Sequence, residues 1–118
     1  MKLLALLLCS VGLCLAQVRE GNFDIRFEPQ AKLQAGVSVP FQISVVDALH
    51  KPLPDAKVTL QIETTDRKDT KVFQAPATAP GIYLANPVFP VAGQWNVYVE
   101  VRRGNQMSAR TIEFSVTD

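Results

Sequence analysis

The chain has only two cysteines, one histidine and one tryptophan, and the positions of the cysteines restrict its chemistry. Cys9 and Cys14 both lie in the first 16 residues, so the remainder of the 118-residue chain contains none. A disulfide, a thiolate metal site and a cysteine nucleophile are therefore excluded after residue 16. Small domains outside the cytoplasm commonly depend on disulfides, whereas this chain has to fold on its hydrophobic core alone.

An excess of charge of one sign is also lacking. Once Lys2 is set aside, eleven basic and eleven acidic residues remain, and neither sign forms a long block. A nucleic-acid-binding domain would carry a basic face, and a membrane-surface domain would carry a basic amphipathic helix. We therefore predict no nucleic-acid partner. After residue 16 no apolar stretch is long enough to span a membrane.

The N-terminal segment, residues 1–16, has the pattern of a cleaved secretory signal peptide. Lys2 supplies the positive charge, Leu3 to Leu15 is almost entirely apolar, and the small residues Cys14 and Ala16 precede a predicted cleavage before Gln17. Two alternatives remain open, namely an uncleaved anchor and a lipoprotein acylated on Cys14. Leu13 disfavours the second, because a small residue normally precedes the acylated cysteine. We predict an extracytoplasmic protein, periplasmic or secreted.

The remaining residues, 17–118, alternate between apolar and polar side chains, which is the period of half-buried β-strands. Seven segments show this pattern or its remnants: 22–28, 37–45, 57–63, 71–74, 82–85, 95–102 and 108–116. Short turn signals separate them, and no helical periodicity occurs. The pattern predicts a single all-β domain, an immunoglobulin-like antiparallel β-sandwich of about seven strands with no disulfide.

Several details of the strands can be predicted. Val37, Val39, Phe41, Ile43 and Val45 should share one buried face, because they occupy alternate positions. The same alternation places Tyr83, Ala85 and Trp95 inward, and Tyr98 outward. Pro87 and Pro90 should make the chain bend or change sheets, and Gly104-Asn105 should close a tight hairpin.

Four passages together resemble the YtkA-like family of small bacterial exported domains, which is related to FixH proteins. They are PGIY at 80–83, FPVAGQW at 89–95, VYVEV at 97–101 and the loop DALHKPLPDAKVTL at 47–60. The resemblance covers about residues 23–116 and implies a β-sandwich. It also implies structural roles for four residues, the turn glycines Gly81 and Gly93 and the core aromatics Tyr83 and Trp95.

The resemblance implies little about function. Some relatives belong to copper handling or respiratory-oxidase assembly, and FixH itself carries a membrane anchor, whereas the apolar segment here looks cleavable. Copper carriers of the CopC type begin the mature chain with His, whereas this chain would begin with Gln17.

Metal-binding residues are few. His50 is the only histidine, and Met107 is the only methionine after the signal segment. In many sandwiches the loops that carry such positions meet at one end, so His50 and Met107 form a candidate copper pair. The alternative is an exposed loop histidine and a partly buried methionine. Asp66/Asp69 and Asp47/Asp55 are weak candidates for calcium, or simply solvated charges.

Signatures of catalysis are lacking, since neither a phosphate-binding glycine loop nor a G-x-S-x-G elbow occurs. One histidine cannot complete a nucleophile–base–orienter set by itself. The sequence therefore predicts a non-catalytic module that binds another extracytoplasmic or membrane protein. The expected contact residues are Leu49, Tyr98, Arg102 and Arg103, within the loop 49–54, the turn 102–106 and the face around Tyr98. The alternative is a copper-handling or oxidase-assembly accessory protein that uses His50 and Met107.

Overall fold

A computed structural model describes residues 19–118. The predicted signal peptide and its cleavage site lie outside the described residues. Within residues 19–118, no helix long and apolar enough to cross a membrane is found.

The described chain forms two packed β-sheets, which confirms the predicted sandwich. Its strands are β1 (Arg19–Glu20), β2 (Asp24–Pro29), β3 (Phe41–Val46), β4 (Lys57–Thr64), β5 (Thr70–Gln74), β6 (Ala77–Ala79), β7 (Ile82–Ala85), β8 (Gly93–Arg103) and β9 (Gln106–Val116). Sheet A has the order β1-β9-β8-β4-β5, and sheet B has the order β2-β3-β7-β6. Every pairing between neighbours is antiparallel except that of β1 with β9.

The prediction of about seven strands was too low, because β1 and β6 carry no alternating signal. Arg19–Glu20 is polar and exposed, and its backbone pairs with β9. Ala77–Ala79 consists of small, exposed residues at the edge of sheet B. Such strands form because a neighbouring strand supplies backbone donors and acceptors, and the side-chain pattern does not indicate that this neighbour is present.

The prediction that Val37 is buried was wrong, because its side chain is 46% exposed. Residues 34–37 form a turn in which the Val37 N–H donates to the Gln34 carbonyl at 3.3 Å. Strand β3 begins only at Phe41, so the alternation does not extend back to Val37. Val39 is buried nevertheless, and its N–H donates to the Pro87 carbonyl at 3.2 Å.

The core lies between the sheets and is filled from alternate positions of the central strands. Trp95, Phe89 and Phe41 are fully buried, and their rings form edge-to-face or tilted pairs with centroids 5.5 and 6.2 Å apart. Ile112 and Phe114 are half-buried against this core, and Val116 is buried. Burial of this apolar area is the main stabilising term in a chain without disulfides.

The connection from β7 to β8 carries the chain from sheet B to sheet A, as Pro87 and Pro90 predicted. The β8–β9 hairpin is closed by the two residues between the paired Arg103 and Gln106. Gly104 has a φ of 62° whereas Asn105 has a negative φ, the arrangement of a type II′ turn. The turn therefore matches the strand twist.

Tyr83 links sheet B to the long loop before β4. Its buried hydroxyl donates to the Leu53 carbonyl at 2.7 Å and accepts from the Ala56 N–H at 3.2 Å. Tyr83→Phe should lower the free energy of unfolding by about 1–3 kcal/mol, because both loop groups lose their partner. Denaturant melts against Tyr98→Phe, which removes a half-exposed hydroxyl, provide the check. Equal losses in the two variants would contradict this role.

Candidate functional site

The predicted contact loop and the β8–β9 turn lie at the same end of the sandwich. Strand β2 starts beside the end of β3, where Asp24 pairs with Val46. Just before it, the Phe23 N–H donates to the Ser108 hydroxyl of β9 at 3.4 Å. The loop that follows β3 and the turn that precedes β9 are therefore close. We call residues 47–51 the Leu49 loop.

The Leu49 loop is held by hydrogen bonds to both ends of Asp47. The Asp47 carboxylate accepts from the Leu49 N–H at 2.8 Å and from the Lys51 N–H at 3.0 Å. The Asp47 N–H donates to the Lys51 carbonyl at 2.9 Å, and the Asp47 carbonyl accepts from the His50 N–H at 3.0 Å. His50 has a φ of 62°, which turns the backbone sharply. Leu49 is consequently presented to solvent with 73% of its surface exposed.

The charge on Asp47 is part of this arrangement. The N–H groups of Lys51 and Leu49 hold the pKa of the Asp47 carboxyl below its ordinary value of 3.8, and the charges of Lys51 and Arg103 act in the same direction. The charge of Arg103, beside the β8–β9 turn, makes the smallest of these contributions.

Loss of order in the Leu49 loop is expected only at strongly acidic pH. A carboxyl with a lowered folded-state pKa stabilises the fold above its unfolded pKa, and this contribution is lost as the pH falls through the folded value. NMR titration of the Leu49 and Lys51 amides should give a common midpoint below 3.8. In Asp47→Ala these amide shifts should be changed at neutral pH and lack that transition. A midpoint above 3.8 in the wild-type protein would contradict the bonding described.

Three outward side chains of β8 form a connected polar row. Tyr98 donates its hydroxyl hydrogen to Glu100 Oε1 at 3.2 Å, and Arg102 Nε donates to Glu100 Oε2 at 2.7 Å. Burial, followed by the neighbouring Glu100 charge, raises the pKa of Tyr98. The phenol therefore stays neutral and donates its hydrogen at physiological pH. Tyr98 is half-buried within this row rather than fully exposed.

The proposed metal ligands occupy different parts of this end. Met107 pairs with Arg102 of β8 and Glu20 of β1, so all three lie on the outer side of sheet A. His50 lies exposed in the Leu49 loop. Residues 19–118 hold no group of three or more His, Cys, Asp or Glu side chains suited to a metal. A copper site needs more than one strong ligand, so both His50 and Met107 would have to bind the ion. The His50–Met107 pair stays a prediction.

A copper titration tests that prediction directly. If His50 and Met107 hold copper, the protein should bind Cu(I) or Cu(II) with a dissociation constant below micromolar, and His50→Ala should weaken binding. Met107→Leu should weaken Cu(I) binding more than Cu(II) binding, since a thioether prefers Cu(I). Weaker binding by the wild-type protein, or binding unchanged in His50→Ala, would remove the copper hypothesis.

The acidic pair Asp66 and Asp69 belongs to the β4–β5 turn. Asp66 Oδ1 accepts from the Thr64 hydroxyl at 2.7 Å and from the Lys68 N–H at 3.1 Å, and these bonds lower the pKa of Asp66. The Asp69 N–H donates to the Thr64 hydroxyl at 3.2 Å. The observed role of these residues is to close a hairpin turn.

Two residues of the site had no assigned contact role from the sequence. Asp47 was considered only as a weak calcium ligand, although an aspartate before a short loop is a known turn former. Glu100 was not among the predicted site residues. Its spacing of two residues from both Tyr98 and Arg102 places all three side chains on one face of a strand, and this signal was available.

Solved structures share the fold. FetP of uropathogenic Escherichia coli strain F11 aligns over 86% of this chain and 92% of its own, with a TM-score of 0.56 and 13% identity. A DUF4426 family protein of Pseudomonas aeruginosa PAO1 aligns over 86% and 96%, with a TM-score of 0.52 and 15% identity. A DUF4785 family protein of Legionella pneumophila aligns over 81% of this chain with a TM-score of 0.55 and 10% identity. This chain spans only 28% of that protein's length.

The sequence comparison is more specific than the structural one. No curated protein matches the chain significantly. The YtkA-like family profile, in contrast, matches residues 16–100, from the predicted cleavage site through β8 as far as Glu100. This match includes the Leu49 loop, Tyr83 and Trp95. The chain is therefore a member of the YtkA-like family.

Proposed function

We propose that this domain is a non-catalytic accessory module that binds another protein outside the cytoplasm. The observation that carries the proposal is Leu49, a large apolar side chain that is 73% exposed on a loop closed by its own hydrogen bonds. An ordered loop loses little conformational entropy on binding, so its contacts contribute more fully to affinity.

The residues around Leu49 suit a protein partner. The charge of Arg103 acts on Asp47, and Arg102 is oriented by Glu100 on the same strand, β8. Tyrosine and arginine, together with tryptophan, are enriched at the energetic centres of protein interfaces. We infer a partner with an apolar recess for Leu49 and acidic side chains facing Arg102 and Arg103.

We infer the location outside the cytoplasm from the signal-peptide pattern of residues 1–16. The partner is accordingly an extracytoplasmic or membrane protein. The single histidine of the chain lies exposed in the Leu49 loop, which favours a binding role over acid–base catalysis.

Site-specific photocrosslinking in the native cell tests the proposal. A photoreactive residue at position 49 should give a discrete adduct, whereas the same residue at position 37, an exposed valine in a loop at the opposite end, should not. The captured protein is then purified and its affinity measured by calorimetry. Leu49→Asp should weaken binding at least about tenfold, by desolvating a charge in an apolar recess. Val37→Asp should leave affinity unchanged, and equal effects at both positions would refute the proposed surface.

A further inference from the structure

Among residues 19–118, strand β5 forms one edge of sheet A and pairs with β4 alone. Two backbone hydrogen bonds at the ends of β5 show which of its residues direct their N–H and C=O groups towards β4. The Thr64 N–H donates to the Asp69 carbonyl at 3.0 Å, and the Ala75 N–H donates to the Val58 carbonyl at 2.9 Å. Because antiparallel pairing alternates, residues 71 and 73 also face β4. Thr70, Val72 and Gln74 therefore direct their N–H and C=O groups to the open side.

The β5 edge differs from the other edges in the described part of the chain. At the edge of sheet B, Arg110 Nη1 donates to the Ile25 carbonyl of β2 at 2.8 Å. Strand β1 has only two residues, and β6 has three with an irregular register. Strand β5 has five residues and contains no proline, and its pairing with β4 shows no register shift. Val72 at its centre is 57% exposed. An edge of this kind is a template for another strand.

We propose that β5 pairs with β5 of a second copy of this chain, antiparallel about a two-fold axis at Val72. In this register Thr70 and Gln74 of each copy face Gln74 and Thr70 of the other, and the two Val72 residues face each other. Thr70, Val72 and Gln74 of each strand then form backbone hydrogen bonds to the other copy, about six in total. Each copy presents the same surface, as a two-fold dimer requires.

Lys71 and Pro76 each disfavour one of the two neighbouring registers. A shift that centres the axis on Lys71 would bring two like charges directly opposite each other, which is destabilising. A shift in the other direction, centred on Phe73, would place Thr70 opposite Pro76, which has no N–H to donate. With the axis at Val72, Lys71 lies opposite Phe73, whose ring accommodates the aliphatic part of the lysine side chain.

The outer face of sheet A would be continuous across this dimer. Thr111, Tyr98, Gln61 and Val72 form one cross-strand row, as their pairings show. Pairing at Val72 continues this row into its copy and covers the exposed valine. A contact through one short strand is small, so we expect association that depends on protein concentration.

Analytical ultracentrifugation of the full chain and its variants tests the dimer. The wild-type mass should rise toward twice the monomer mass as concentration increases. Val72→Pro should weaken dimerisation about tenfold or more, because it removes two of the intermolecular donors. Its missing N–H points away from β4, so the fold is retained, and circular dichroism checks this. Val72→Thr keeps the N–H and the branched shape and should dimerise like the wild-type protein.

Cysteine crosslinking tests the register. Residues that face each other in a hydrogen-bonded antiparallel pair have Cα atoms about 5.5 Å apart, a separation that a disulfide spans. Under mild oxidation Val72→Cys should form a disulfide between the two substituted positions, identified by peptide mass spectrometry. Thr70→Cys, which faces Gln74 of the other copy, should do so much more slowly.

Three results would overturn the proposal. They are a monomer at all concentrations, dimerisation unchanged in a folded Val72→Pro, and equal crosslinking at positions 70 and 72. A monomer whose Val72→Pro variant loses binding to a different protein would assign the edge to a foreign strand instead. Each result leaves the Leu49 proposal standing, because that surface is tested at positions 49 and 37.

Discussion

Trp95→Ala is expected to lower the free energy of unfolding by about 3–5 kcal/mol, the usual cost of truncating a buried aromatic. Trp95 has no exposed surface. Its ring meets Phe89 edge-to-face with centroids 5.5 Å apart, and its indole N–H donates to the Val91 carbonyl at 3.0 Å. The substitution therefore leaves a cavity in the core and removes the donor that holds the turn before β8.

Chemical denaturation of Trp95→Ala and its neighbour Asn96→Ala measures this effect. Asn96 is half-buried on the outer face of sheet A, so its truncation should stay within about 0.5 kcal/mol of the wild-type protein. Because the lone tryptophan is removed, circular dichroism is the signal to follow. A loss below about 1 kcal/mol for Trp95→Ala would be incompatible with a packed indole.

Gly81→Ala is the second substitution with a large expected cost, about 2–5 kcal/mol. Gly81 has a φ of 75°, and a Cβ there would lie 2.7 Å from Pro52 Cβ and 3.0 Å from the Val45 carbonyl oxygen. The left-handed conformation costs an alanine roughly 1–2 kcal/mol, and overpacking adds about 1–3 kcal/mol. The Gly81 carbonyl also accepts from the Val45 N–H at 2.9 Å, so the backbone cannot move freely.

Gly36→Ala is the matched control for Gly81→Ala. Gly36 has a φ of 77°, but a Cβ there would meet nothing within 4 Å. Its substitution should cost only the conformational term, about 1–2 kcal/mol. The difference between the two variants in denaturant melts isolates the contact with the loop before β4. Equal losses would show that the loop before β4 moves away from the added Cβ at no cost in free energy.

The buried face of most strands could be predicted, because alternation is a local property. Trp95, Val97, Val99 and Val101 are all fully buried, at alternate positions of one strand. The Gly104-Asn105 hairpin is likewise a local signal, since its geometry depends on the positive φ that glycine adopts without strain. Val37 shows where this reasoning fails. The apolar pattern extends back to residue 37, but that residue lies in a turn that precedes the strand.

The sequence predicted several residues of the candidate site, but it did not predict which of them lie close together. Leu49, Arg102 and Arg103 were identified as contact residues because the sequence pattern placed them in exposed turns, although Arg102 and Arg103 end strand β8. The proximity of Arg103 to Asp47 depends on strands that are distant in sequence and meet only in the sandwich. Likewise, the open edge of β5 could not be foreseen, since it depends on where sheet A ends.

Composition and alternation alone were sufficient for an all-β domain without disulfides and for the side of each long strand that is buried, because one buried face requires a period of two. Strand count, sheet order and the meeting of the Leu49 loop with the β8–β9 turn required the folded chain. They are set by backbone hydrogen bonds between distant segments, and such bonds are nearly independent of side-chain identity.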